Sequence, residues 1–219
     1  MKLFIDSADL NDIETIASWG VLAGVTTNPS LIAKVEGEEE DIYRHICELV
    51  NGPVSAEVTA ESRSEMVDQG RRLAAIHPNI VVKIPTSAEG LAATSTLARE
   101  GVAVNMTLCF TAPQALLAAA SGARYVSPFM GRYDDIGNSG VEALREVVDA
   151  LMGSEYETEV LAASIRNPVH VTEAAKMGAD IATIPAKVFY QMLMHPLTTT
   201  GLEKFNEDAA ARKARLAAG

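Results

Sequence analysis

A lysine stands inside one of the most apolar runs of the chain. In "NIVVKIP" (79–85), Lys83 is flanked by the β-branched residues Val82 and Ile84. Lysine is almost never fully buried without a partner or a task. Desolvation by Val81 and by these two neighbours, with arginines nearby, favours the neutral amine, which is a nucleophile for carbonyl carbons. The run therefore predicts a Schiff-base lysine. A structural lysine paired with Asp6 or Glu57 is the alternative.

Schiff-base chemistry also needs groups that move protons, and two carboxylates are available. Asp6 and Glu57 can serve as a general base and a general acid. Arg132 and Arg166, with Ser164, supply hydrogen-bond donors suited to a phosphate. An imine is an electron sink that allows carbon–carbon cleavage without a metal. Together these residue types indicate an enzyme that cleaves or forms carbon–carbon bonds in an anionic carbonyl compound.

The elements that must position these residues alternate regularly along the chain. Short strand-like runs, each followed by a helical pattern, occupy 2–6, 22–28, 53–58, 79–85, 101–107, 123–129, 159–164 and 179–185. Strict alternation predicts a parallel sheet with right-handed crossovers. Eight units in 219 residues favour a (β/α)8 TIM barrel over an open doubly wound sheet. No GxGxxG or P-loop follows any strand, which weakens nucleotide-binding alternatives.

The chain has no linker or low-complexity segment, so we expect one barrel domain over 1–219. Residues 200–218 form an extra charged helix with Leu202, Phe205 and Leu216 along one side. Such a helix could cover the barrel or dock on a neighbouring subunit, and the pattern alone does not choose.

The carboxyl ends of the predicted strands carry a row of polar residues. Active sites of parallel barrels lie at those ends. The polar residues at or just beyond seven consecutive strand ends are Asp6, Thr26, Thr27, Asn28, Glu57, Lys83, Asn105, Thr107, Ser127, Arg132, Ser164 and Arg166. Each alone has an ordinary explanation, such as a helix cap for Asp6 or Asn28 or a solvated position for the arginines. Together they predict a crowded polar cavity.

Composition excludes several other classes of protein. With 18 basic and 29 acidic residues, the net charge of −11 disfavours binding to nucleic acid or acidic membranes. Cys47 and Cys109 form no CxxC pair and are expected to be buried thiols, and the four histidines have no metal-ligand spacing. Asp6 interrupts the N-terminal apolar stretch, which argues against a secretory signal. We expect a soluble, cytoplasmic protein without a dedicated metal site.

Five longer motifs carry a resemblance to a known family. They are "GVTTNPSLI" (24–32), "VVKIPTSAEGL" (81–91), "NMTLCFT" (105–111), "VSPFMGR" (126–132) and "LAASIRNP" (161–168). The chain resembles the transaldolases over essentially its whole length, in particular the short transaldolase and fructose-6-phosphate aldolase subfamily. The resemblance implies a barrel enzyme of the pentose phosphate pathway, without metal or cofactor, that moves a dihydroxyacetone unit between sugar phosphates. It also implies a homo-oligomer, a ring-built decamer, with the terminal helix reaching a neighbour.

The resemblance also assigns roles to individual residues. Lys83 matches the Schiff-base lysine, and Asp6 matches the carboxylate that handles the C4 hydroxyl proton. Glu57 matches the acid–base group that works through a water, which Thr107 helps to hold. The residues matched to binding the dihydroxyacetone hydroxyls and the phosphate are Asn28, Asn105 and Ser127, with Thr27 beside them, and Arg132, Ser164 and Arg166.

Two positions favour a transaldolase over a fructose-6-phosphate aldolase. Aldolase members of the subfamily carry glutamine at the position of Glu57 and tyrosine at that of Phe129. The tyrosine is a local acid for releasing dihydroxyacetone, so with Phe129 the intermediate should wait for an acceptor aldehyde. Net cleavage that releases free dihydroxyacetone is one alternative, and a non-catalytic sugar-phosphate-binding barrel is another.

Overall fold

Eight parallel strands close into a barrel in the computed structural model, which describes residues 1–218. The strands are β1 (Lys2–Asp6), β2 (Gly24–Thr26), β3 (Val54–Glu57), β4 (Ile80–Pro85), β5 (Val104–Cys109), β6 (Tyr125–Pro128), β7 (Glu159–Ala162) and β8 (Ile181–Ile184). Each pairs with the next along the chain, and β8 pairs with β1. The predicted (β/α)8 TIM barrel is confirmed.

Helices surround the barrel and join its strands. They are α1 (Leu10–Ala17), α2 (Pro29–Ile32), α3 (Glu39–Leu49), α4 (Arg63–Ala74), α5 (Ala88–Arg99), α6 (Ala112–Ala120), α7 (Met130–Asp135), α8 (Gly140–Met152), α9 (Pro168–Met177), α10 (Ala186–Leu193) and α11 (Pro196–Ala217). The short helices α2 and α7 follow β2 and β6 directly and were not predicted. Helical periodicity is hard to read over only one or two turns.

Local side-chain chemistry explains where several helices begin. Thr111 caps α6, which has Pro113 in its first turn. Its side chain accepts from the backbone N–H of Gln114, whose own side chain reaches back to the cap residue, so a complete capping box starts α6. Helix α11 starts at Pro196 rather than at residue 200, because His195 caps it by accepting from Leu197 N–H.

The barrel is filled from its amino-terminal end by large side chains. A separate interior cluster contains Phe4, Val81, Tyr125, Leu161 and Ile181. The other apolar cluster lies between the strands and the surrounding helices. Because side chains alternate between the two faces of each strand, the polar residues further along the strands point into the barrel above this plug.

The terminal helix α11 contributes no buried residue. Its large apolar side chains are 58–75% exposed: Leu197, Leu202, Phe205 and Leu216. Within residues 1–218, no helix combines the length and the apolar character that crossing a membrane would need.

Candidate active site

Lys83 projects into the barrel near the carboxyl end of β4. Its neighbours Val82 and Ile84 point the other way, towards Gly70 of α4 and Gly90 of α5. The expectation that these two residues desolvate the amine is therefore wrong, since strand side chains alternate between faces. Val81, the third residue expected to do so, belongs to the interior cluster and shares the face of Lys83. Lys83 is nonetheless only 4% exposed, because the other interior residues of the barrel surround it.

The lysine amine has two close partners. Its Nζ donates to the backbone carbonyl of Thr27 at 2.8 Å and lies 3.0 Å from Glu57 Oε2. Glu57 sits directly opposite Lys83 in the register of β3 and β4. Both side chains are largely buried, at 5% and 12% exposure, so the contact is shielded from solvent. Glu57 is consequently the nearest group that can take the proton from the amine.

Asp6, at the end of β1, is the second carboxylate of the site. Thr26 donates to Asp6 Oδ1 at 2.9 Å, and the hydroxyls of Thr26 and Thr183 are 2.6 Å apart. Burial raises the pKa of Asp6, and the positive charge of Lys83, the Thr26 hydrogen bond and the charge of Arg166 oppose that rise. A carboxylate with a raised pKa is a stronger base than an ordinary aspartate.

A polar ladder crosses the barrel interior beside the lysine. Ser127 donates to Asn105 Oδ1 at 2.7 Å, and Asn105 Nδ2 donates to Ser55 Oγ at 3.1 Å. Two residues after Asn105, the Thr107 hydroxyl is buried and has no hydrogen-bond partner among residues 1–218. A buried hydroxyl without a protein partner is a natural binding point for a water or a substrate hydroxyl.

These side chains surround an open cavity of about 130 Å³ at the carboxyl end of the barrel. It is lined by Asp6, Thr26, Asn28, Lys83, Ser127, Phe129, Arg132, Ala163, Ser164, Arg166 and Thr183. Eight of the twelve predicted site residues are in that set; Glu57, Thr107, Asn105 and Thr27 are not. Within the described part of the chain, no three histidine, cysteine, aspartate or glutamate side chains are placed to hold a metal ion.

Two of the predicted binding residues also have structural roles. Thr27 turns its hydroxyl away to donate to Ser55 O at 2.8 Å, so its carbonyl is what reaches Lys83. Asn28 lines the cavity while its Oδ1 accepts from Leu31 N–H at 3.0 Å and caps α2. The cap expected as an alternative for Asn28 is therefore present together with the cavity position.

The rim of the cavity is cationic. Arg132, on α7, places its guanidinium carbon 5.1 Å from the centre of the Phe129 ring. Arg166 lines the same cavity and pairs with Asp135 at 2.9 Å between Nη2 and Oδ2. Ser164, which lines the same cavity, has a left-handed backbone with φ of 59°. Two arginines from consecutive βα units, beside a serine, form an arrangement suited to an anion such as a phosphate.

The structure also adds residues that sequence reasoning did not single out for the site. Ser55 holds Asn105, and Thr183 holds Thr26. The alternation of strand faces could have revealed Ser55, which lies two residues before Glu57 in β3. Asp135 carried no comparable signal, because its contact with Arg166 joins residues 31 positions apart.

Comparison with known proteins gives consistent similarities. The family model described as Transaldolase/Fructose-6-phosphate aldolase matches residues 3–218. A protein of Thermus thermophilus named "Probable transaldolase" is 59% identical over 217 residues, covering 95% of this chain and 97% of the relative. Proteins of the same name from Caldicellulosiruptor saccharolyticus and Symbiobacterium thermophilum are 53% and 52% identical, covering 95% and 99% of this chain and 96% and 100% of the relatives.

Proposed function

The chain belongs to the transaldolase/fructose-6-phosphate aldolase family, and from that premise we propose that it is a transaldolase whose covalent intermediate forms on Lys83. The reaction converts sedoheptulose 7-phosphate and glyceraldehyde 3-phosphate into erythrose 4-phosphate and fructose 6-phosphate, as a cytoplasmic step of the pentose phosphate pathway. The observation that carries the proposal is the placement of one buried amine, with Glu57 3.0 Å away, in the same cavity as Asp6 and two arginines.

The first half of the reaction makes the Schiff base. Lys83 passes a proton to Glu57, and the neutral amine attacks the C2 carbonyl of the ketose phosphate. After the attack, the nitrogen gives one of its protons to the former carbonyl oxygen to form the carbinolamine. Glu57 then returns its proton, through a water held by the Thr107 hydroxyl, to the same oxygen, which leaves C2 as water and gives the protonated imine. The buried Thr107 hydroxyl, which has no hydrogen-bond partner in the described part of the chain, supports this role. It lies further along β5 from Asn105, which pairs with Lys83 in register.

The second half breaks and remakes a carbon–carbon bond. Asp6 accepts the proton of the C4 hydroxyl as the C3–C4 bond breaks, and the bonding electrons enter the imine to give an enamine on Lys83. An aldose phosphate leaves. The enamine carbon then attacks the aldehyde of the acceptor, Asp6 gives its proton to the new hydroxylate, and hydrolysis of the imine frees the product ketose. The raised pKa of Asp6 supports its assignment as this base.

Different residues of the cavity bind the two ends of the substrate. Asn28, Asn105 and Ser127 hold the hydroxyls of the dihydroxyacetone unit. Arg132, Ser164 and Arg166 hold the phosphate at the rim, where the positive charge of the two arginines opposes the net charge of −11. The cavity's position at the carboxyl ends of the strands agrees with the general location of barrel active sites.

Transfer is favoured over cleavage by Phe129. Its ring lines the cavity and carries Arg132 on one face, and it has no hydroxyl that could protonate the enamine. The enamine therefore persists until an acceptor aldehyde binds. Release of free dihydroxyacetone is the competing outcome that experiment must exclude.

Borohydride trapping tests the covalent step. Fructose 6-phosphate with sodium borohydride should add the mass of one reduced dihydroxyacetone unit to the peptide that contains Lys83. Lys83→Met should abolish labelling. Lys176→Met, at a lysine whose side chain is 66% exposed, is the matched control and should label fully. Labelling at another lysine, or none in the native protein, would overturn the Schiff-base proposal.

Turnover with and without erythrose 4-phosphate then separates transfer from cleavage. We expect formation of sedoheptulose 7-phosphate with the acceptor, and dihydroxyacetone release at only a small fraction of that rate without it. Acceptor-independent release at a comparable rate would identify a fructose-6-phosphate aldolase instead.

We also propose that a second copy of this chain covers α11 in a decamer. The apolar residues of the helix are exposed, as is Met194 just before it at 78%. An apolar surface of this kind is typical of a protein interface. Light scattering should give the mass of ten chains, and Phe205→Glu should lower it; a monomer at micromolar concentration would contradict the assembly.

A further inference from the structure

A buried imidazole joins the two elements that carry the rim arginines. His170, near the start of α9, is 7% exposed. Its Nε2 lies 2.9 Å from Asp134 Oδ2 on α7, the helix that carries Arg132. Its Nδ1 accepts from the backbone N–H of Arg166 at 3.4 Å. One side chain thus contacts both sides of the rim.

The hydrogen-bond pattern assigns the tautomer of that ring. Since Nδ1 accepts a backbone N–H, the proton of the neutral imidazole is on Nε2 and is donated to Asp134. The other carboxylate oxygen of Asp134 accepts from Gly140 N–H at 2.9 Å, at the start of α8. Both ring nitrogens and both carboxylate oxygens therefore have partners, so the imidazole is held in a single orientation.

Close packing at the start of α7 shows why this bridge controls the rim. A Cβ atom on Gly131 would lie 2.0 Å from Ser164 O and 2.8 Å from Arg166 Cγ. The helix backbone is therefore in direct contact with the segment that carries Ser164 and Arg166. A small movement of α7 changes the distance between the arginines.

The remaining restraints on the arginines are weak. The ion pair of Arg166 with Asp135 joins side chains that are 48% and 56% exposed, and exposed pairs contribute little rigidity. Arg132 is exposed and stacks on Phe129. The His170–Asp134 contact joins side chains that are 9% and 38% exposed, so it is less solvated than the Arg166–Asp135 pair. It acts beside the backbone hydrogen bond from Met130 N–H to Ala163 O, which also ties α7 to the segment that carries Arg166.

We propose that His170 and Asp134 form a positioning pair that sets the spacing of Arg132 and Arg166 for the phosphate of the substrate. The inference rests on the proposed function for the identity of that anion. His170 does not reach the reacting atoms; it acts through the backbone of Arg166 and through α7. The expected consequence is selectivity for phosphorylated over unphosphorylated sugars, expressed in KM rather than in kcat.

Two variants test the pair. His170→Asn keeps an oxygen that can accept from Arg166 N–H but is too short to reach Asp134. Asp134→Asn keeps the shape but can accept only one of the two N–H groups that the carboxylate accepts. For each, the ratio of kcat/KM with glyceraldehyde 3-phosphate to kcat/KM with glyceraldehyde should fall about tenfold, through KM, as expected when a hydrogen bond to a charged group is misplaced.

The double variant of His170 and Asp134 distinguishes a positioning role of the pair from general destabilisation of the fold. If the residues act through one bond, the double variant should show no larger loss in the ratio than either single variant. Inorganic phosphate, titrated calorimetrically without any turnover, should bind about tenfold more weakly to both single variants. His77→Asn is the matched control, because His77 Nδ1 also accepts a backbone N–H, that of Asn79, at 3.1 Å beside β4's amino end. The ratio of kcat/KM for the two aldehydes should be the same in His77→Asn as in the unmodified protein.

The outcomes are distinguishable. If the unmodified protein neither prefers the phosphorylated aldehyde nor binds phosphate, the proposed phosphate site is wrong. If it does both and the two variants keep the preference, or lose activity on the two aldehydes equally, the positioning pair is overturned while the proposed function stands.

Discussion

The ion pair between Lys83 and Glu57 allows a quantitative test of the resting site. Coulomb's law gives about 5.5 kcal/mol for unit charges 3.0 Å apart at an effective dielectric constant of about 20. Removing one partner of a buried pair leaves an uncompensated charge, which costs about 3–5 kcal/mol. Because the Glu57 side chain keeps 12% exposure, we take the lower end, about 3 kcal/mol.

A double-mutant cycle isolates this interaction. Glu57→Gln and Lys83→Met should each lower the free energy of unfolding by about 3 kcal/mol, and the double variant should recover most of that loss. In a chain of this size, each single variant should melt roughly 6–12 °C lower. Urea unfolding at pH 7 and one fixed protein concentration gives the coupling energy.

An exposed pair is the matched control. Glu173 and Lys176 are 2.8 Å apart on one face of α9, and their cycle should give at most about 0.5 kcal/mol. A coupling energy under about 1 kcal/mol for Lys83 and Glu57 would refute the reasoning, because it would mean that the resting amine is not an ammonium held by this carboxylate.

Two further substitutions have defined expectations. Asp6→Asn should lower kcat by about 100-fold or more through loss of the base. It should also raise the free energy of unfolding at pH 7, since burial raises the pKa of Asp6 above 3.8 on folding and the ionised form is penalised above that folded pKa. The gain should vanish as pH falls below about 3.8, and urea unfolding that shows no gain at pH 7 would contradict it. Phe129→Tyr should increase acceptor-independent release of dihydroxyacetone, measured enzymatically, whereas Phe110→Tyr, at the ring in edge contact with Phe129, is the control and should not.

The barrel was predictable because its signals are local. Strand and helix periods are set by neighbouring residues, and eight alternating units leave few alternatives to closure. The strand assignments also predicted that the polar residues at the strand ends share one cavity, since parallel strands present their carboxyl ends at one edge. The cavity does contain Asp6, Lys83 and both rim arginines.

The reasons behind the site were less predictable than its members. Val82 and Ile84 made the run around Lys83 apolar, yet they face the helices. Which carboxylate pairs with the amine was open until the register of β3 and β4 set Glu57 opposite Lys83. Register is a property of two strands, so neither strand's composition could reveal it.

By itself, the sequence determined the eight βα units, the polar strand ends and the candidate nucleophile Lys83. Only the tertiary structure decided the partners: Glu57 and the Thr27 carbonyl for the amine, Asp135 for Arg166, and His170 for the backbone of Arg166 and for Asp134. The physical reason is the separation along the sequence over which each interaction acts. Periodicity and capping act within a few residues, whereas the amine and the Thr27 carbonyl are 56 positions apart and meet only when the barrel closes.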